Sequence, residues 1–344
     1  MKPGSLIAVT GVGGFIGRHV ARAALRRGFR VRGLDADPGA VRGLAAEGVE
    51  AHVGAVEDGA AAAALCSGAD AVVHAAARVA AGGDLALFRR VNVEGTAVIL
   101  AAARAAKVAT VVHLSSVMVH GFTFADGVRE DDPRRPGTNP YCLTKSESDA
   151  LALGMDRPDG TRVVVLRPGD VYGVGGRAWV DGPLELHDQG RLILPYGGRR
   201  FFNHTHVDHV VDAVFLALRA RAGGRAYHIT DGARTTCGEF YGRLAAATGR
   251  RPVPTAPGWV VFGVLGALEG ISALRGRPLA LRDTARFLAR PGVYSIEKAQ
   301  QELAYKPRVT LEDGIAAIAR AAGPLDGSAG LLDASAGPTG AEPT

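Results

Sequence analysis

Up to about residue 166, short β-branched runs alternate with Ala-, Leu- and Arg-rich segments of helical period. The apolar runs predict strands over 6–10, 30–34, 49–53, 70–75, 109–115 and 161–166, with helices between them. Strand, crossover helix and strand in repetition predicts a parallel sheet covered on both faces, a doubly wound α/β architecture. After residue 167 the alternation breaks, and Pro and Gly become frequent. The stretch "VDHVVDAVFLALRA" (207–220) predicts an amphipathic helix, followed by a strand over 226–230. Thr236 and Glu239 stand at capping-box spacing and open a helix that Gly249 stops. Two helices around 258–289 and a last one at 310–322 follow.

This pattern divides the chain. Residues 1–167, with returning segments about 200–231, form the expected doubly wound core. Residues 168–199 and 232–322 form a smaller, mostly helical lobe. The Gly/Ala/Ser/Pro-rich tail 323–344 is expected to be disordered.

Composition narrows the function. The formal charge is +6, but the basic residues are scattered and lack interleaved aromatics, which argues against nucleic acid as a partner. Cys66, Cys142 and Cys237 are widely separated and odd in number, so no disulfide framework is expected and a reducing cytoplasm is the default. A strand signal in "SLIAVT" leaves no room for a signal peptide. The most apolar late stretch, "GWVVFGVLGALEGISAL" (258–274), is too short for a membrane span and is interrupted by Glu269. It reads as core or dimer packing, or as a lid over an apolar substrate. It lacks the Lys/Arg-rich face of a membrane-surface helix.

In "VTGVGGFIGRHVARAALRRG" (9–28), Gly11, Gly14 and Gly17 fall between the first strand and the first helix. The first glycine permits a sharp turn, the second lets backbone approach a pyrophosphate, and the third allows close helix–strand packing. Asp35 ends the next strand, eighteen residues beyond Gly17. A carboxylate there accepts from the adenosine ribose hydroxyls and repels a 2′-phosphate, which favours NAD; Arg32 and Arg42 leave NADP open. "HTHVDH" (204–209) offers His204, His206 and His209, but with too few converging ligands for a metal site, and none is expected.

Two Tyr-x-x-x-Lys spacings occur, Tyr141–Lys145 in "NPYCLTKS" and Tyr294–Lys298 in "YSIEK". The first follows Pro140 into a helical run, so both side chains share a face, and a strand ending in Ser115 and Ser116 precedes it. The second begins with Ser295 as a natural N-cap, which puts Tyr294 outside its helix. Tyr141 and Lys145 are therefore the proton-transfer candidates. A tyrosine of ordinary pKa about 10 needs roughly 4 kcal/mol of bias to ionise near pH 7. A nearby ammonium and a cationic nicotinamide are expected to supply it. Lys145 is one of only five lysines against thirty-five arginines. Its compact ammonium suits ribose hydroxyls and a phenolate better than a planar guanidinium.

With "TGVGGFIG", "HAAA", "VNVEGT", "HLSS", "YCLTK" and "LRPGDVYG" in order, the chain resembles the extended short-chain dehydrogenases/reductases, the NAD-dependent epimerase/dehydratase superfamily, over roughly residues 5–320. It looks most like the bacterial 3β-hydroxysteroid dehydrogenase-like branch. The resemblance implies a Rossmann core with NAD as cofactor. It makes Ser116 the catalytic serine, Tyr141 the acid/base and Lys145 the ribose-binding activator. Gly11, Gly14, Phe15, Ile16, Gly17 and Asp35 would hold the nucleotide. Ala75, Ala76 and Ala77 would line the cofactor with Ser115, Asn92 would support the site loops, and Pro168 and Val171 would approach the nicotinamide. It also implies a homodimer.

Departures from the family pattern shape the expected chemistry. His120 stands where the family has a tyrosine, which makes it either a candidate substrate contact or a loop histidine without a role. Gly54–Ala55 replaces the usual Gly-Asp. Val117 and Met118 follow the serine where a dehydratase would need an acid, which argues against dehydration. The sequence thus points to interconversion of a secondary alcohol and a ketone on an apolar, steroid- or terpenoid-like small molecule. A nucleotide-sugar epimerase using Arg199, Arg200 and Arg234 on a diphosphate is the enzymatic alternative, and a non-catalytic NAD(P)-binding regulator the other.

Overall fold

The computed structural model describes residues 1–220, 222–275 and 279–322. Among them, seven strands form one parallel sheet: β1 (Leu6–Thr10), β2 (Arg30–Asp35), β3 (Val49–Val53), β4 (Ala71–His74), β5 (Thr110–Leu114), β6 (Arg162–Pro168) and β9 (Arg225–Ile229). Their order is β3-β2-β1-β4-β5-β6-β9, so the winding reverses between β1 and β4. Ligands of such sheets bind at the carboxyl ends of the strands beside that reversal. The strand registers, Thr10 opposite His74 and Leu114 opposite Leu166, bring the ends of β1, β4, β5 and β6 to one edge.

The strands form where expected because they are buried on both faces. Ile7, Val9, Val73, Val112 and Val164 pack one face of the core, and Ala8, Val72, Val111, Val163 and Val165 the other. Near-continuous apolar runs are what such strands require. Helix Val207–Ala220 covers the first face, and helices Gly59–Cys66 and Gly95–Ala105 the second.

A further pair of short parallel strands, β7 (Asp170–Tyr172) and β8 (His204–His206), was not visible in the pattern. Three residues each is too short to show period two. Around them a separate apolar core gathers Tyr172, Leu194, Phe202, Phe240, Leu244 and Ile318. Thr236 and Glu239 make the capping box reciprocally at the start of helix Cys237–Ala247. The stretch over 258–289 forms helices Gly258–Leu274 and Leu281–Phe287. The expected tail 323–344 lies outside the described residues. No helix among the described residues is long and apolar enough to cross a membrane.

Candidate active site

The glycine loop is built for backbone approach. Gly11 has φ +63°, and a Cβ on it would lie 2.8 Å from the Ala76 backbone nitrogen. A Cβ on Gly17 would lie 2.0 Å from the Gly11 carbonyl oxygen, so only glycine lets the helix pack against the loop. Gly14 is exposed and starts helix Phe15–Arg26 with no side chain capping the first turn, where Phe15, Ile16 and Gly17 present their amides. That end suits an anion.

Asp35 ends β2 beside this loop. Its carboxylate accepts from Gly13 N at 2.9 Å and from Asp37 N at 3.1 Å, which fixes its orientation while leaving it half-buried. Arg32 is turned away, donating to Glu50 at 2.7 Å and to the Ser67 carbonyl at 2.6 Å. A glycine cradle, an uncapped helix start and a held carboxylate together fit NAD.

Ala75, Ala76 and Ala77 follow β4 and are half-buried along the same edge. Thr10 Oγ1 accepts from Ala76 N at 3.1 Å and hydrogen-bonds His74 Nδ1 at 2.7 Å. Asn92 lies behind them: its Oδ1 accepts from Arg78 N at 2.7 Å and its Nδ2 donates to Thr144 Oγ1 at 3.0 Å. It thus ties the loop after β4 to helix Pro140–Gly154, as a supporting residue would. Pro168 closes β6 in a buried position, and Val171 lies half-buried in β7 against the main core.

Ser116 and Tyr141 meet in one cavity of about 480 Å³. Asn139 Oδ1 caps the tyrosine helix from Tyr141 N and Cys142 N at 3.1 and 3.2 Å, and Pro140 fills its first turn. Ser116 Oγ accepts from Met118 N at 3.2 Å, and its hydroxyl stands beside the Tyr141 phenol. Burial pushes the Tyr141 phenol up to about 12, with the nearby Ser116 hydroxyl working the other way. Lys145 is 3% exposed, and its Nζ donates to the Leu114 carbonyl at 2.6 Å. Burial lowers its ammonium to about 8, opposed by Asp149. The expected bias toward phenolate is therefore not what the protein alone produces: desolvation dominates, and the proton stays on Tyr141.

Ser115 turns away from the cavity and donates to Asp149 Oδ2 at 2.7 Å. Sequence reasoning missed this support. Asp149, fully buried, also receives Arg167 through both Oδ2 and Oδ1 at 2.8 Å and Arg134 at 2.9 Å. The signals were present, since Asp149 stands four residues after Lys145 and Arg167 lies within "LRPGD".

His120 does not reach the cavity. It is 1% exposed, with Nε2 3.1 Å from His228 Nε2 of β9 and its ring against Tyr294. A contact 108 residues away in sequence leaves no local trace. The candidate substrate contact is instead a packed core histidine. Tyr294 is buried with it, while Lys298 reaches Asp131 at 3.4 Å, so the second Tyr–Lys spacing brings nothing together. His204 and His209 both hydrogen-bond Asp231, at 2.8 and 2.5 Å, and His209 Nε2 accepts from Arg308 N and Val309 N.

The cavity walls are largely apolar: Trp179, Leu186 and Leu192 come from segments the pattern left irregular, and Phe287 and Leu288 from the end of the second helix expected over 258–289, with Met118 beside the serine. Among the described residues, no Lys or Arg lines it. Arg290 is fully buried next to it, paired with Asp170.

The NAD dependent epimerase/dehydratase family model matches residues 7–230. The chain belongs to this family. A 4-hydroxy-2-methyl-3-oxo-4-farnesyl-3,4-dihydroquinoline-1-oxide ketoreductase of Stigmatella aurantiaca is 32% identical, covering 92% of this chain and 96% of its own. A 2-alkyl-3-oxoalkanoate reductase of Stenotrophomonas maltophilia is 31% identical over 90% and 97%. A 3-beta-hydroxysteroid dehydrogenase of Mycolicibacterium neoaurum is 26% identical over 90% and 89%, in keeping with the branch the motifs resemble. Among solved structures, a short-chain dehydrogenase/reductase superfamily protein from Agrobacterium tumefaciens with bound NAD has a TM-score of 0.71 at 25% identity, covering 92% of this chain and 96% of that one.

Proposed function

We propose that this protein is an NAD-dependent ketoreductase/dehydrogenase that interconverts a ketone and a secondary alcohol on a bulky apolar substrate. The observation that carries the reading is the opening of Ser116 and Tyr141 into an apolar cavity that no Lys or Arg lines among the described residues. Ketoreductase and hydroxysteroid dehydrogenase relatives support the reaction class.

When bound, NAD would supply or accept the hydride. The chain's own residues handle the oxygen and its proton. Ser116, its lone pair engaged by Met118 N, donates its hydroxyl proton toward the substrate oxygen and stabilises charge developing there. Tyr141 keeps its proton at neutral pH, which suits a general acid delivering it to that oxygen in ketone reduction. Lys145 spends one of its three N–H bonds on the Leu114 carbonyl, leaving two for ribose hydroxyls. Met118, Trp179 and Phe287 exclude water around the reacting carbon.

The nucleotide-sugar reading needs a cationic clamp on a diphosphate. Its candidates are engaged elsewhere: Arg234 pairs with Asp126 at 2.9 Å, and Arg200 stacks 4.5 Å from the Tyr196 ring. Arg199 lies in a separate groove with Trp259. The test is NADH oxidation with alkyl-branched 3-ketones and ketosteroids, alongside epimerisation of UDP-glucose. Turnover confined to the nucleotide sugar would overturn the apolar assignment.

A further inference from the structure

The most apolar stretch of the chain, read from sequence as core packing or a lid, lies on the surface. Helix Gly258–Leu274 is 17 residues long, and Gly258 is its only buried residue. Trp259 is 81% exposed and Leu274 90%. Val264, Leu268 and Ile271 are exposed at helical spacing and so share one face. A helix apolar all round needs cover, and an exposed apolar face running about 10 Å from Val264 to Ile271 on a helix about 26 Å long marks a contact surface.

The helix rests on the protein through its one acid. Glu269 is only 12% exposed at its side chain and pairs with Arg282 of helix Leu281–Phe287. Thr284 and Phe287 of that second helix line the Ser116–Tyr141 cavity. The exposed strip is therefore one helix away from the candidate active site.

Charge decides what covers it. Arg199 shares a groove with Tyr196, Trp259 and Phe262 at the helix's N-terminal end, and Arg200 stacks on Tyr196. Arg275 caps the C-terminal end. Among the described residues, none of these three arginines pairs with a carboxylate. A second copy docked through the same helix would bring the same arginines, and the helix's one acid, Glu269, is already paired with Arg282, so like charges would face each other. An anionic lipid surface complements both parts, receiving the apolar face at the acyl boundary and the arginines at the headgroups. The polar back face that a free membrane-surface helix needs is supplied here by the body of the protein.

We propose that helix Gly258–Leu274, flanked by Arg199, Arg200 and Arg275, docks the protein onto an anionic membrane surface beside its active-site cavity. The docking stands on this surface alone and does not depend on the ketoreductase reading.

The test is flotation of the full chain with vesicles of phosphatidylglycerol and phosphatidylcholine, and with phosphatidylcholine alone, at low and high salt. The expected result is binding about tenfold stronger to the anionic vesicles and weakened by salt. Leu268→Ser with Ile271→Ser should cut binding by about tenfold or more, as expected when buried apolar area is lost. Arg199→Gln with Arg275→Gln should remove the preference for anionic lipid. All four positions are at the surface, and NADH binding checks that each variant is folded. Wild-type protein that stays in solution with both vesicle types overturns the proposal. So does a Leu268→Ser/Ile271→Ser variant that floats like the wild type, or one that only converts a dimer to a monomer on a sizing column.

Discussion

Lys145 Nζ donates to the carbonyl oxygen of Leu114 at 2.6 Å, joining the helix that carries Tyr141 to the strand that leads into Ser116. Both are buried, and the ammonium is held down to about 8 by burial. A folded pKa below the unfolded value of 10.5 means that the unfolded chain binds the extra proton between about pH 8 and 10.5, so stability rises with pH across that window. Below pH 8 the cost of the buried charge is fully present, on the order of 3 kcal/mol. Lys145→Met removes this term. Thermal unfolding should show the wild type gaining on the variant as pH rises from 8 to 10; parallel curves would contradict the buried ammonium.

Asp35 holds the glycine loop through Gly13 N, and we propose that its carboxylate receives the adenosine ribose. Asp35→Ser should weaken NADH binding by about tenfold and narrow the preference over NADPH. Fluorescence titration with both cofactors measures this. Unchanged selectivity would place the ribose elsewhere.

Asp149 and Arg167 form a buried pair that also receives Ser115 and Arg134. Burial would raise the Asp149 carboxyl, but the Arg167 hydrogen bonds and charge outweigh it and hold it below the usual range. A depressed carboxylate stabilises the fold above its unfolded pKa, and that contribution is lost as pH falls through the folded value. Asp149→Ala leaves Arg167 buried without its partner and should cost about 3–5 kcal/mol in urea denaturation. A loss below about 1 kcal/mol would mean that the site tolerates the unpaired guanidinium.

Tyr141 is expected to remain a phenol in the cofactor-free protein. Burial pushes it up to about 12, so an ultraviolet pH titration of wild type minus Tyr141→Phe should show no phenolate below about pH 10. A tyrosinate signal near neutrality would show that Lys145 alone activates the phenol.

Much of this was legible in the sequence because it is local. The turn at Gly11, the approach at Gly14 and the packing at Gly17 lie within seven residues of one another, and Asp35 follows by the length of one helix and strand. Tyr141 and Lys145 share a face by helical period alone. What stayed hidden depends on distant partners. His120 looked available to substrate until β9 placed His228 against it. The walls from Trp179 and Leu192 come from segments with no regular period, brought together only by the second core. The exposure of Gly258–Leu274 was hidden for the opposite reason. An apolar run reads as buried, and nothing local shows that its outer face lacks a neighbour.

The most direct measurement is the turnover of Tyr141→Phe with NADH and a branched apolar ketone, beside its NADH affinity. The expected result is a kcat reduced by about 10²–10⁴ with NADH binding retained, since only the proton donor is lost. Turnover equal to wild type, with binding also intact, would contradict Tyr141 as the acid and with it the chemistry assigned to the cavity.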